Sequence, residues 1–133
     1  MSATLMVRDE TAFKLGNNDY IFPLSFPTER ITVRELIRER VFQEVQDYNL
    51  RQPEFYCGLV KPSDAEQTLN GFRLTKKQLI DWEQQFDKAL EAFERNGFII
   101  LVGNRQVEGL DEVIEIEPES SVTFLKLVPL VGG

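Results

Sequence analysis

The 133-residue chain contains no histidine and a single cysteine, Cys57. Without imidazole there is no Ser-His or Cys-His couple, no histidine general base and no histidine metal ligand. One thiol can neither close an intrachain disulfide nor build a thiolate zinc site. The eight glycines are scattered, and none falls in the spacing G-x-x-x-x-G-K-[ST] or G-x-G-x-x-G of a phosphate-binding loop. Basic residues are in the minority, with 15 Lys and Arg against 22 Asp and Glu for a formal net charge of −7. That balance lacks the cationic field that displaces counterions from phosphates, and it disfavours an anionic membrane surface. No run of ~18 apolar residues occurs. The opening MSATLMVRDE has no cationic segment followed by an apolar signal region. The expectation is a cytoplasmic protein in a reducing compartment that binds neither nucleic acid nor membrane and lacks the common equipment of an enzyme, which does not by itself exclude one.

What is present suffices for a core, since 42% of residues are apolar and 11% aromatic. The length predicts a single domain over residues 1–133. ATLMVRD (3–9) and YIFPLSF (20–26) read as strands joined by the turn chemistry of LGNND (15–19). Pro23 lacks an amide donor, which places it on an edge or at a bulge. Thr32 and Glu35 have the capping-box spacing. Behind them Val33, Leu36, Ile37, Val41, Val45 and Tyr48 make one apolar stripe, with Arg34, Arg38, Glu39, Glu44 and Gln46 off it and Asn49 and Pro53 bracketing the end.

Residues 50–74 show no sustained period and read as an irregular excursion. A second helix is expected from about Thr75 to Arg95, with Leu79, Trp82, Phe86, Leu90 and Phe93 on its apolar face and Asn96-Gly97 as a left-handed cap. FIILV (98–102) reads as a buried strand, RQV as a short edge strand, EVIEIE (112–117) as an alternating strand, and Val122 to Val128 as the closing strand. The order predicts an α+β fold with a helix on one face of a sheet.

The last third, FIILVGNRQVEGLDEVIEIEPESSVTFLKLVPLVGG, resembles the end of ubiquitin-like proteins, and the first hairpin with TERITVRELIRERV resembles their first half. The resemblance covers residues 3–49 and 97–133 and leaves 50–96 as an insertion. It implies a β-grasp sheet packed on one helix, with an inserted helical segment between that helix and the third strand. It also implies that Gly133, preceded by Gly132, carries the functional carboxylate. Glycine at both positions lets the backbone thread a narrow channel and leaves the carbonyl open to a nucleophile. Pro129 stiffens the tail, and Leu130 and Val131 complete an apolar segment for recognition. The partners so implied are an activating enzyme that supplies ATP and Mg²⁺, a conjugating enzyme, a deconjugating protease and an amine on a target protein; the resemblance thus implies a substrate of that chemistry and not an enzyme, with no cofactor or metal bound to the chain itself.

Ubiquitin itself is similar but has basic residues close before its glycines, where this chain has Pro129 and Val131. PLVGG looks more like the tails of sulfur carriers, such as the small subunit of molybdopterin synthase, whose terminal acyl group ends as a thiocarboxylate. The length and the insertion look more like a prokaryotic ubiquitin-like modifier. A third reading is a binding module that acts through the inserted helix.

Strand parity turns Thr123 and Leu125 away from Val122 and Phe124, and Ile99 and Leu101 away from Phe98, Ile100 and Val102. Ile99, Leu101 and Leu125 then form a candidate partner-binding surface, unless the inserted helix covers it. Cys57, between aromatics in EFYCGLV, is expected to be a small buried apolar residue, and Trp82, Phe86 and Phe93 to belong to the core. Asp111-Glu112 and Glu115/Glu117 read as a solvated rim. Lys14, Lys61, Lys76, Lys77, Lys88 and Lys126 are available as acceptors of a second copy.

Overall fold

The computed structural model describes residues 2–11, 20–68, 70–76 and 78–127, with Thr11 and Tyr20 described by their backbone alone. Among these residues the chain is α+β, with a mixed five-stranded sheet, two two-stranded sheets and two helices. It divides into two compact units, Met1–Leu36 with Ala92–Gly133, and Ile37–Glu91. Among the described residues no helix is long and apolar enough to cross a membrane.

In the first unit β1 (Ala3–Thr11) and β2 (Tyr20–Phe26) form the expected antiparallel hairpin, in register Met6 to Pro23. The LGNND turn lies outside the described residues. With β6 (Phe98–Val102), β7 (Arg105–Gln106) and β9 (Ser121–Lys126), the sheet order is β2-β1-β9-β6-β7. β2 is therefore an edge strand, and the missing Pro23 donor costs the ladder nothing on its open side. β9 runs parallel to β1 and antiparallel to β6. One face is apolar: Leu5, Val7, Leu24, Phe26, Phe98, Ile100, Val122 and Phe124 are all buried. Phe98 stacks between Phe93 and Phe124, with ring centroids 5.9 Å from each.

The EVIEIE segment is a strand over three residues, β8 (Val113–Glu115). Its partner is an unanticipated strand, β3 (Arg30–Thr32), which sets the buried Ile31 opposite the buried Ile114. Helix α1 (Val33–Arg51) opens directly after β3. Its capping box is formed: Thr32 Oγ1 accepts from Glu35 N at 3.1 Å, and Glu35 Oε1 accepts from Thr32 N at 3.1 Å. Two further helix-start amides are satisfied by a loop, Val33 N on Glu112 O at 3.0 Å and Arg34 N on Leu110 O at 2.9 Å.

In the second unit Ile37, Val41, Val45 and Tyr48 carry the apolar stripe of α1 and are buried as expected. The helix runs past Asn49 to Arg51, where Gln52 takes a positive φ of 43° and donates to Tyr48 O. Residues 50–74, expected to be irregular, contain a hairpin of β4 (Ala65–Thr68) and β5 (Gly71–Leu74). Four-residue strands are too short to display a period, but Asn70-Gly71 marks the turn, with Gly71 at φ 130°.

Helix α2 (Trp82–Glu94) starts well after Thr75. Asp81 Oδ1 accepts from Glu83 N at 3.0 Å and caps it. Leu79 consequently lies ahead of the helix and is exposed, not on an apolar face. Gln85 and Ala89 are the buried positions of α2 within this unit, while Trp82, Phe86 and Leu90 are half-buried. Trp82 still packs closely, edge-on to Phe42 at 5.3 Å and under the Arg38 guanidinium at 5.3 Å.

In the first unit, the last turn of α2 closes as the sequence predicts. Asn96 has φ 60°, Gly97 N donates to Ala92 O at 2.8 Å and Asn96 N to Phe93 O at 3.1 Å.

Candidate functional site

Gly132 and Gly133, with Pro129, Leu130 and Val131, lie outside the described residues. What is described is the strand that leads to them. β9 is held on both sides, and the ladder continues one residue further through Leu127 N, which donates to Gly97 O at 3.2 Å.

The other candidate residues come together. Ile99 stands directly opposite Leu125 and Leu101 opposite Thr123, on the sheet face away from Phe124 and Ile100. All three candidates, Ile99, Leu101 and Leu125, are half-buried. The same face continues across β1 and β2 through Glu10, Arg8, Met6, Pro23 and Ile21. Met6 at 42% and Ile21 at 50% exposure are more open than any of the three candidates. Both could be found by the same parity argument applied to LMV (5–7) and IFPL (21–24), where Leu5, Val7 and Leu24 on the opposite face are buried. Arg8 and Glu10 pair at 3.7 Å among them.

A buried polar cluster in the second unit was not anticipated. Arg40, 1% exposed, donates through Nε to Glu44 Oε1 one turn along α1. Glu44 Oε2 also accepts the Tyr56 hydroxyl at 3.3 Å and Leu59 N at 3.2 Å. Glu44 thus faces inward as an acceptor and does not belong to the solvated side of the helix. Buried Gln85 donates Nε2 to Val60 O at 3.1 Å, and its Oε1 has no hydrogen-bond partner. Burial, and next the neighbouring Glu44 carboxylate, hold the Tyr56 hydroxyl protonated far above its ordinary range. This phenol is a fixed hydrogen-bond donor and not a proton-transfer group at neutral pH.

The Tyr56 ring lies over Gly58, where an added Cβ would sit 2.2 Å from ring carbon Cζ. Gly58→Ala is expected to cost about 1–3 kcal/mol by overpacking. The loss should appear as a lowered denaturant midpoint at unchanged slope.

Cys57 is exposed, contrary to expectation. Tyr56 takes the interior position at this turn, and the neighbouring thiol points out, its Sγ 3.5 Å from Asn70 O. Asp111 and Glu112 are ion-paired rim residues: Asp111 meets Arg34 at 3.3 Å and Glu112 meets Arg105. The Arg105 hydrogen bond holds the Glu112 carboxyl below its ordinary range. Asp111 and Arg34 line a shallow groove of about 450 Å³ together with Phe93, Ile99 and Leu110. Among the described residues no group of three or more Cys, Asp or Glu side chains is placed to hold a metal. Of the lysines, Lys61 and Lys76 are exposed, Lys88 Nζ donates to Ser63 Oγ at 3.0 Å, and Lys126 meets Asp9 at 3.7 Å. Lys14 and Lys77 lie outside the described residues.

Comparison with known protein families, curated proteins and solved structures gives no match.

Proposed function

We propose that the chain is a ubiquitin-like modifier on a β-grasp scaffold, used through the carboxyl group of Gly133. One observation supports this most. The chain opens with a hairpin, enters a helix, and later returns to lay β9 parallel beside β1, giving the order β2-β1-β9-β6-β7. That is the strand arrangement the resemblance implies, and β9 is the strand that leads into PLVGG. On this reading residues 50–96 are an insertion into that scaffold.

The chain is a substrate of the chemistry and supplies no catalytic group. In an activating enzyme the Gly133 carboxylate attacks the α-phosphorus of Mg²⁺-bound ATP, and pyrophosphate leaves. A cysteine thiolate then displaces AMP to give a thioester, and a target amine displaces the thiol to give an amide. The absence of side chains at Gly132 and Gly133 keeps the acyl carbon open to each nucleophile. Pro129, Leu130 and Val131 provide the apolar grip for the activating enzyme, and Ile99, Leu101 and Leu125 the sheet surface read by conjugating enzyme and protease.

A second reading shares the first step. The apolar PLV before the glycines, with no basic residue among them, favours a sulfur carrier, in which sulfide resolves the adenylate to a Gly133 thiocarboxylate.

Deleting Gly132 and Gly133 is expected to abolish every heavier covalent species of the chain in its own cells. The melting temperature should change little, because two glycines carry no side chain to bury. Undiminished conjugates from the deleted chain would defeat the proposal.

A further inference from the structure

The sequence contains two Asn-Gly steps, Asn70-Gly71 at the turn of the β4–β5 hairpin and Asn96-Gly97 at the end of α2. This dipeptide carries a chemistry of its own. The glycine nitrogen can attack the side-chain carbonyl carbon of the asparagine, because no Cβ on the following residue obstructs the approach. The nitrogen gives up its proton to hydroxide, a new C–N bond closes a five-membered imide, and the side-chain amide leaves as ammonia. Water then opens the imide at either carbonyl. One opening gives aspartate, and the other gives isoaspartate, whose main chain runs through the former side-chain carbon. Asparagine is thermolabile on this account. In a folded chain the rate depends on whether the glycine nitrogen can leave its native bonds and turn toward that carbonyl.

The fold holds the two steps differently. Gly97 is pinned on both sides: its N–H donates to Ala92 O at 2.8 Å, and its carbonyl accepts from Leu127 N at 3.2 Å. Asn96 N adds a bond to Phe93 O at 3.1 Å. These contacts tie the last turn of α2 to the end of the central sheet, so the Gly97 nitrogen is released only when cap and sheet end open together. Asn70 and Gly71 instead occupy the tip of a hairpin. Gly71 meets Thr68 on the last of four rungs, and Asn70 N donates to Thr68 Oγ1 at 3.1 Å. Asn70 is exposed, as are Glu66, Gln67 and Arg73 on the two strands. Opening the end rung of a short exposed ladder is a small local event.

The hairpin also requires its glycine. Gly71 has φ 130°, and a Cβ there would lie 3.1 Å from Cys57 Sγ and 3.2 Å from Tyr56 O. The reactive step is thus built into the turn. We infer that Asn70 is a site of spontaneous modification, converted to aspartate and isoaspartate by attack of the Gly71 nitrogen, while Asn96 is protected by its helix cap. Either product places a carboxylate in the residue whose backbone carbonyl meets the exposed Cys57 thiol. Isoaspartate also lengthens the main chain at the rung that Gly71 shares with Thr68. The inference is independent of what happens at Gly133.

The test incubates the full chain at mildly alkaline pH and physiological temperature, folded in one sample and unfolded in guanidinium chloride in the other. Both are digested and mapped by mass spectrometry over time. In the folded chain the Asn70 peptide is expected to show the amide-to-acid mass change and to split into two products of equal mass. It should do so at least about tenfold faster than the Asn96 peptide, since protection follows the free energy of local opening. In guanidinium chloride the two steps should convert at similar rates, so that the fold and not the dipeptide separates them. Asn70→Gln would have to close a larger ring, and it should abolish the product at this position while keeping the fold, because the side chain is exposed. An Asn70 that stays intact in the folded chain but converts in the unfolded one overturns the inference. So does an Asn96 that converts as fast as Asn70 in the folded chain, or a difference between the two that persists unchanged on unfolding.

Discussion

Arg40→Ala is expected to destabilise the chain by about 3–5 kcal/mol, the usual cost of removing one partner from a buried ion pair. Arg40 is among the largest fully buried side chains, and its Nε serves Glu44 from the preceding turn of the same helix. Truncation leaves a mostly buried carboxylate with the Tyr56 hydroxyl and Leu59 N as donors but without that guanidinium. It also opens a cavity where the guanidinium and its stem had been. The cost belongs to the uncompensated charge and the void, so a neutral pair should recover most of it. Arg40→Met with Glu44→Gln fills the space and keeps a carbonyl oxygen to accept from Tyr56 and Leu59. Trp82, the only tryptophan in the chain, stands in the same unit against Phe42 and Arg38. Its fluorescence in a denaturant titration therefore reports on this unit directly. A loss below about 1 kcal/mol would put the pair in the class of surface salt bridges and contradict the burial that defines it.

Raising the pH should erode stability steeply in the wild type and less so in Tyr56→Phe. The folded state keeps the Tyr56 proton far above the ordinary phenol value of 10.0. Below that value both states hold the proton, and the contribution of the buried hydroxyl is fully present. Above it the unfolded chain releases the proton and the folded chain does not, so unfolding is favoured by about 1.4 kcal/mol per pH unit. Tyr56→Phe loses the hydrogen bond to Glu44, at about 1–2 kcal/mol near neutral pH, and escapes this alkaline term. The stability curves of the two proteins should therefore converge above pH 10 and then cross. Parallel curves through that range would mean that the Tyr56 hydroxyl reaches solvent in the folded state.

Much of the fold follows from local rules. The capping box at Thr32 and Glu35, the stripe from Val33 to Tyr48, the Asn96-Gly97 cap and the parity of β6 and β9 all stand where residue type and spacing put them. Each is decided within a few residues, by a hydrogen bond or by one buried face. The misses share the opposite property. β3 is three residues long and exists through its pairing with β8, far along the chain. The β4–β5 hairpin has four-residue strands with half-buried and exposed positions, too few for an apolar alternation.

The polar cluster was not read from the sequence, which sets Glu44 off the apolar stripe. Arg40 and Glu44 lie four apart between stripe residues Ile37, Val41 and Val45, on the inward side of the helix. A charged pair there is readable as buried only if a partner such as Tyr56 is brought to it by tertiary structure. Cys57 and Leu79 fail for the same reason. Which residue of an irregular segment turns inward is fixed by long-range bonds, such as that from Ile80 to Asn49, and not by its own type. Of the candidate site, the sheet row Ile99, Leu101 and Leu125 is assembled by the register of β6 on β9. The tail from Pro129 to Gly133 is read from its sequence alone.

The proposed function rests on one carboxyl group, that of Gly133, and intact mass tests it. The chain, tagged at its N-terminus and purified from its own cells, is weighed beside a version that lacks Gly133. The account predicts a ladder of heavier wild-type species whose fragments carry an amide from Gly133 to a foreign amine, and no such ladder from the truncated chain. A single wild-type species heavier by one oxygen-to-sulfur exchange would favour the carrier reading over the modifier. If wild type and truncation both appear only at their calculated masses under every growth condition, Gly133 is not the reacting group. The account of this chain as a modifier is then contradicted.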